Sequence, residues 1–599
     1  DILRLIVHCI KQTVSLTVPP PSMPPHGNTP IVLDPERLFR LQLDKPSLPE
    51  VEFAPSQTND WPPLDDVSLA SSRGDETYNG RDAKPAYTYL RWNLLFTFII
   101  LLFLSVSFWL PFIPAVGTAA LEICLGVCIV LHILWLFGFI NALRYSRRLL
   151  AFRNHQIDLS PKITQSNGII VKHLVGICLY KEPLQLMIDT VDSVATQKNA
   201  KEKISVVLGM EDGTPEREQK SAELRKRFGS SFERFIITTH PKNLPGDIPG
   251  KCSNLNFAMR TAVASLKGDQ TYDLGTFGKN VQLLVTTGDC DSIFGDRYFD
   301  ALEEDFWKTP QQARAHTVWQ SPLFYAINLD KSPFFVRVTG LLRAFFMMSY
   351  LIPWNINTMS IFSLTLQLYE AGGYTHPGYQ MEDIIALIRW SLAVRRQCVI
   401  RAIPVATLSG PTSGTSYVNE WYEWARQIRR WTIGAAEVFH YFSVKSRRLP
   451  VFTAIAFSCK FIFYYGFLLC IGQLYGLIAP IVTPLMMNAA GRDSDGPVVS
   501  SSVFLYINLG MLGLVYVEMG MVCLVNRICE RAFPGGRRDG TGIVRCILHW
   551  LLAYPTILMY CLVELFAFLE VSIRGKNVCS HSASKKDNLV ASPNKIHPV

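Results

Sequence analysis

The placement of the long apolar runs constrains this chain more than any other feature. Asn93 to Phe112 and Thr118 to Leu143 are nearly continuous apolar runs, and after a long mixed middle come Val451 to Met487, Ser501 to Val525 and Ile543 to Val571. Each is long enough to cross about 30 Å of hydrocarbon, which takes roughly 20 apolar residues as a helix. Val451 to Met487 reads as one bent span or two short ones, so the total is five or six. The linker between the first two runs leaves room only for a tight outside turn. Arg144, Arg147, Arg148 and Arg153 follow the second run and place that end in the cytosol. Five spans make the basic loop at Arg527 to Arg538 cytosolic and put the C-terminus outside, whereas six return Lys585 and Lys586 to the cytosol. Glu122 sits near the start of its run, where a carboxylate can reach the interface, although intramembrane charges are often functional.

The flanks are different in kind. Residues 1 to 18 are apolar but broken by Arg4, His8 and Lys11, a poor span and a doubtful signal peptide. The chain begins with Asp1 rather than Met, which leaves an incomplete N-terminus open. Residues 19 to 88 are rich in Pro, Ser and Asp without apolar period and read as a disordered cytosolic tail. The layout is therefore a tail at 1–90, two spans at 91–143, a cytosolic domain with interfacial helices at 165–445, three or four spans at 450–571, and a disordered tail at 572–599. With 599 residues, 49% of them hydrophobic, the chain is too apolar for overall disorder. Its net charge of +9 gathers beside apolar segments, which favours membrane lipid over nucleic acid as the partner. The 14 cysteines include no Cys-x-x-Cys pair, which points to free thiols and a reducing compartment for the middle of the chain.

That middle alternates strands with helices. Val171 to Tyr180 and Ile204 to Gly209 read as strands, and so do Val281 to Asp289 and the stretch from Val318. Such alternation predicts an α/β fold with a mostly parallel, Rossmann-like sheet, which binds ligands at the carboxyl ends of its strands. Phe334 to Leu368 is apolar but interrupted by Arg337, Arg343, Pro353 and Asn355, and reads as amphipathic helices at the membrane surface. The Val281 strand stops on Gly288-Asp289-Cys290-Asp291. Strand alternation would place Asp289 and Asp291 on one side, where two hard oxygen donors suit Mg²⁺ or Mn²⁺. Downstream stand Glu382-Asp383 and then Gln427-Ile-Arg-Arg430-Trp431, in a segment of helical period from Glu420 to Phe442. An acidic pair, a second acidic pair and a cationic-aromatic cluster are the parts needed to move a sugar from a nucleotide diphosphate. Taken singly, each has an ordinary counterpart: a surface turn, a helix-start carboxylate held by the dipole, a membrane-surface helix.

Asp-Cys-Asp, Glu-Asp and Gln-x-x-Arg-Trp, in this order between apolar spans, resemble the processive family-2 glycosyltransferases, the group of cellulose, chitin and hyaluronan synthases. The resemblance covers about Val171 to Phe442. It implies a nucleotide-sugar transferase domain embedded in a polytopic helical membrane protein. It also implies that Glu182 and Asp212 hold the uridine of a UDP-sugar, although the family's usual Tyr-Asn-Glu and Asp-Asp-Gly-Ser are here Tyr180-Lys181-Glu182 and Glu211-Asp212-Gly213-Thr214. Lys251, in Pro249-Gly-Lys-Cys, would approach the diphosphate, and Asp289 and Asp291 would carry the metal, Asp289 also facing the donor. Asp383 would be the general base, with Glu382 shaping the site. Arg430 would contact the diphosphate, and Trp431, with Gln427 beside it, would floor the acceptor site. His376, in the Gly-rich loop before Glu382, reads as structural or as an acceptor or metal contact.

The resulting expectation is an inverting transferase in the plasma membrane or Golgi/ER, its catalytic domain cytosolic. It would add sugar to a growing polysaccharide and export it. Two alternatives stand beside it: a non-processive glycolipid synthase of the ceramide glucosyltransferase kind, and an inactive membrane scaffold or transport protein. The sugar is not legible: Glu382-Asp383 is followed by Ile-Ile rather than the chitin-synthase Arg, and no Phe-x-Val-Thr-x-Lys segment is present. Oligomerisation stays open.

Overall fold

Runs of Val, Ile and Leu buried on both faces make parallel strands, and the middle of the chain opens with such runs. β1 (Ile170–Leu179) lies between β2 (Ile204–Glu211) and β4 (Val281–Asp289), with β3 (Arg234–His240) outside β2, all four parallel. Helices α3 (Leu184–Ala195), α4 (Arg217–Phe228) and α5 (Lys251–Gly268) make the crossovers. The sheet continues through β7 (Phe362–Thr365), β5 (Thr317–Gln320) and β8 (Val399–Ala402). Among the described residues its seven strands run in the order β3-β2-β1-β4-β7-β5-β8, and β7 is antiparallel to both neighbours. β6 (Leu323–Tyr325) and β9 (Thr407–Ser409) pair as a separate ribbon. The architecture is thus a mixed α/β sheet. The computed structural model describes residues 90–154, 169–242, 244, 247, 250–272, 274, 281–327, 334–379, 381–410, 416–493, 495–534 and 542–575. All lie in the unit Pro62–Val599; the unit Asp1–Trp61 lies outside them. The apolar opening, the tail expected up to 90 except its last residue, and the C-terminal tail beyond 575 are also outside the described residues.

β7 corrects one expectation. It falls inside Phe334 to Leu368, where helix α7 (Phe334–Phe346) and a π turn (Met347–Leu351) are followed by strand and then α8 (Leu366–Ala371). The reason is legible in hindsight: Phe362-Ser-Leu-Thr365 alternates apolar and hydroxyl side chains with the period of a strand. The Ser363 hydroxyl is satisfied in the core by Thr286 at 2.8 Å and Tyr298 at 3.1 Å. Tyr298 opens α6 (Tyr298–Lys308).

Around this domain stand α1 (Arg91–Leu104), the 34-residue α2 (Ala120–Arg153), α11 (Val451–Phe461), α12 (Gly472–Ala489), α13 (Ser501–Cys529) and α14 (Ile543–Arg574). A π-helical segment, Ile462–Ile471, joins α11 to α12, so Val451 to Ala489 is one helical run rather than two. Among the described residues five helices are long and apolar enough to cross a membrane, and six if the pair Trp92–Leu104 and Val106–Phe112, bent by 54°, counts as one. One of the five, Phe334–Leu351, is 83% buried within the protein, against 28% for Gly117–Arg153, so protein rather than solvent or lipid surrounds it. The sheet is fastened to α2: the Tyr145 hydroxyl lies 2.7 Å from the Ile403 carbonyl and 3.3 Å from that of Gln320.

Candidate active site

Because β1, β2 and β4 are parallel and in register, with Cys178 opposite both Gly209 and Asp289, their carboxyl ends open at one edge. Helix α5 starts at that edge. It lies close on the sheet because Gly176 and Gly209 have no side chain: a Cβ there would stand 2.5 Å from Met259 Sδ and 2.6 Å from Asn254 Oδ1. Asn254 Nδ2 donates to the Gly209 carbonyl at 2.9 Å. Gly250 precedes the helix at φ 154°, a conformation that L side chains rarely adopt. Lys251, the first helical residue, therefore projects over the strand ends. Its Nζ lies 2.7 Å from Asp289 Oδ1 and pairs also with Glu382 Oε1. Burial works against the ammonium, but Asp289 and Glu382 outweigh it and hold the Lys251 pKa well above its ordinary value.

The second half of the cluster comes from helices. α9 (Glu382–Ala393) begins on the acidic pair, and α10 (Tyr417–Lys445) carries Gln427, Arg430 and Trp431. Close contact is again made at a glycine: a Cβ on Gly434 would lie 2.1 Å from Met381 Cγ, directly before Glu382. Arg430 is one helical turn before Gly434, on the same face. It feels the charges of Glu382, Asp289 and Asp383, which partly offset a pKa lowered chiefly by burial. Asp383 is pushed up to about 7, first by burial, then by the Glu382 and Asp289 carboxylates, with Lys251 and Arg343 pulling the other way. Arg429, one residue earlier, turns away and meets Glu570 of α14 at 2.6 Å. Trp431 has the Arg343 guanidinium of α7 over its ring, 3.4 Å from the centroid. Trp421 and Trp424 pack on Phe335 of the same helix, with centroids 4.2 and 5.2 Å apart.

Lys251, Asp289, Glu382, Asp383 and Arg430 thus form one charged cluster, with Trp431 beside it and Gln427, half-buried, a turn earlier on α10. Asp291 is reached differently from the alternation argument. The strand ends at Asp289 and a tight turn follows, with Ser292 N–H donating to the Asp289 carbonyl at 3.0 Å. Asp291 is fully buried, and its Oδ2 accepts from Gly410 N–H at 3.1 Å and Ser409 Oγ at 3.3 Å. Glu182 and Asp212 stand on the neighbouring strand ends. Glu182 Oε2 accepts the Tyr180 N–H at 2.6 Å, and Asp212 is 44% exposed, held below the usual carboxylate range by hydrogen bonds from Arg217 and Lys242. His376 Nδ1 accepts from Gly378 N–H at 3.0 Å and its ring meets Tyr379 and Tyr441 edge-on.

Among the described residues no three His, Cys, Asp or Glu side chains converge as a metal cage. The donor chemistry nonetheless fits Mg²⁺ or Mn²⁺, which take one or two carboxylates and complete their shell with phosphate and water. Asp289 and Asp291 are two such carboxylates at one strand end.

Two groups escaped the sequence reading. Arg343 stood out in the sequence only as an interruption of an apolar run. His240, at the end of β3, bridges Glu211 and Asp247, each at 3.0 Å. Burial lowers its pKa, yet the hydrogen bonds to Asp247 and Glu211 outweigh that and raise it to about 9. Its carbonyl also accepts the Asp212 N–H at 3.0 Å. Glu211 comes from the neighbouring strand, 29 residues from His240, which spacing in the sequence does not reveal.

No protein-family model matches the chain, and no curated protein matches it. Similar solved structures include a mannosyltransferase, PcManGT from Pyrobaculum calidifontis, in complex with GDP-Man and Mn²⁺. It is 10% identical, with 74% of this chain and 99% of that one covered and a TM-score of 0.34. They also include S. aureus TarS 1-349, at 13% identity, coverage of 57% and 92%, and a TM-score of 0.27. The same fragment in complex with UDP-GlcNAc gives 11% identity, the same coverages and a TM-score of 0.26.

Proposed function

We propose that the chain is a membrane-bound inverting glycosyltransferase that moves a sugar from a UDP-sugar to a growing polysaccharide and exports it, its cytosolic domain at 165–445 set between spans at 91–143 and 450–571. The observation that carries this reading is the convergence of Lys251, Asp289, Glu382, Asp383 and Arg430 at the carboxyl edge of a parallel sheet. Glu182 and Asp212 meet the uridine. Asp383, with a pKa of about 7, is matched to taking a proton near neutrality. It accepts the proton of an acceptor hydroxyl while that oxygen attacks the anomeric carbon and the bond to the diphosphate breaks. Glu382, tied to Lys251, keeps the acidic pair in place. Arg430 and Lys251 face the charge that grows on departing UDP, Arg430 through its fixed fork of donors. Trp431 and Gln427 line the acceptor side. Asp289 and Asp291 would hold Mg²⁺ or Mn²⁺, which when bound neutralises the diphosphate.

The test is UDP release by detergent-purified protein over a panel of UDP-sugars with Mg²⁺ or Mn²⁺, with product sizing and an Asp383→Asn control. Release with one donor, lost in the control, and a long product are expected. A single added sugar on a lipid would replace the polymer reading with a glycolipid one. No release with any donor and acceptor would defeat transferase chemistry.

A further inference from the structure

At the end of α2 a pocket of about 370 Å³ opens between that helix and strand β8. Arg144 and Arg148 line it from α2, and Arg401 lines it from β8. The carboxylate in its wall, Asp305, is already taken: Arg401 grips it with Nε at 2.5 Å and Nη2 at 2.8 Å. Two guanidinium groups are left facing the pocket from the helix.

The same face of α2 changes character along its length. Ile133, Phe137, Ile140, Arg144 and Arg148 recur at three- and four-residue steps and so form one stripe. The apolar members are open: Ile133 is 46% exposed, Phe137 57% and Ile140 36%. Hydrocarbon-compatible surface thus passes straight into a pair of cations at the end of the run that the arginines assign to the cytosolic side. A free phosphate or nucleotide would use the cations and leave the stripe bare. An amphiphile with a phosphate head uses both.

We infer that this pocket binds the headgroup of an anionic phospholipid, its phosphate between Arg144 and Arg148 and its acyl chains along Ile140, Phe137 and Ile133. Guanidinium forks match phosphate oxygens, and each Arg near an anionic surface adds attraction. The site is separate from the acidic cluster. It touches the sheet through β8 and through Tyr145, whose hydroxyl meets the Ile403 and Gln320 carbonyls. Bound lipid therefore braces the joint between helix and sheet. The inference does not depend on which sugar, if any, is moved.

The test is lipid retention on the detergent-purified full chain by native mass spectrometry, with thermal unfolding alongside. Phosphatidylserine is compared with phosphatidylcholine, and soluble glycerophosphoserine and UDP serve as competitors. Wild type is set against Arg144→Gln/Arg148→Gln and against Arg147→Gln/Arg447→Gln, which removes equal charge from exposed positions outside the pocket. The expected result is a phosphatidylserine preference that falls about thirtyfold in the pocket variant, persists in the control variant and raises the melting temperature only where it persists. Equal retention in all three proteins, or equal loss in both variants, would overturn the pocket. Displacement by glycerophosphoserine or UDP as effective as by whole lipid would overturn the lipid assignment.

Discussion

On the side we assign to the donor, Glu182, Asp212 and Asp289 come off the ends of three parallel strands, their spacing fixed by a hydrogen-bonded register. On the side we assign to the acceptor, Glu382, Asp383, Arg430 and Trp431 come off helices that meet through Gly434 and Met381 and through Arg343 stacked on Trp431. The first side is partly open to water, with Asp212 44% exposed and paired to surface cations. The second is buried, with Asp383 at 6% exposure. At the sheet edge, hydrogen bonds from Arg217 and Lys242 hold Asp212 below the usual carboxylate range, whereas at the buried helix junction burial raises Asp383. Lys251 spans the two sides with one ammonium.

The largest effect should come from the buried side. Asp383→Asn is expected to lower kcat for UDP release by about 10²–10⁴, the usual contribution of a general base. Its stability should move the opposite way. The folded-state pKa near 7 lies above the ordinary aspartate value of 3.8, so the protonated group's stabilisation is complete below about pH 4 and lost as pH rises through 7. The melting temperature of Asp383→Asn relative to wild type should therefore climb from pH 5 to pH 8. A flat difference would mean that Asp383 titrates as an ordinary carboxylate and that the two sides are electrostatically alike.

Adjacent arginines sharpen the contrast within one helix. Arg430→Gln is expected to cut kcat by about 10²–10³, the loss seen on removing one transition-state donor. Arg429→Gln should leave kcat nearly unchanged and cost about 1.5–3 kcal/mol of stability, the worth of a charged hydrogen bond, here the 2.6 Å contact to Glu570. Steady-state kinetics and denaturant unfolding separate the two; reversed behaviour would put the wrong arginine in the site.

The smallest effect belongs to the sheet edge. His240→Gln should raise donor KM about tenfold, the equivalent of one charged hydrogen bond, with kcat little altered. His240, raised to about 9 from 6.5, contributes stability that is complete below pH 6.5 and lost as pH rises through 9. The variant lacks that contribution, so the gap in melting temperature should close across this window.

The sequence showed the sheet half of the molecule well, because β1, β2 and β4 are continuous apolar runs ending on acidic residues. It showed β7 poorly: four residues inside a long apolar stretch do not outweigh the helical pattern around them. The motif residues Asp289, Glu382, Asp383 and Arg430 were legible as types in order, since spacing and chemistry are both local. Their junction was not, because it depends on a glycine at 434 fitting a methionine at 381. Arg343 and His240 were hidden for the same reason: Trp431 and Glu211, which they meet, are distant in the chain.

The helix α2 also acts as a ruler. Its 34 residues at 1.5 Å rise make a rod of about 50 Å, longer than the roughly 30 Å of hydrocarbon that the proposed span would cross. The rest reaches the sheet, where the Tyr145 hydroxyl joins the Ile403 and Gln320 carbonyls. In the membrane-bound reading we propose, a rod anchored in this way would let the sheet neither rise nor sink against the bilayer. On that reading the proposed transfer would take place at one fixed height, and the acceptor would have to present its hydroxyl there.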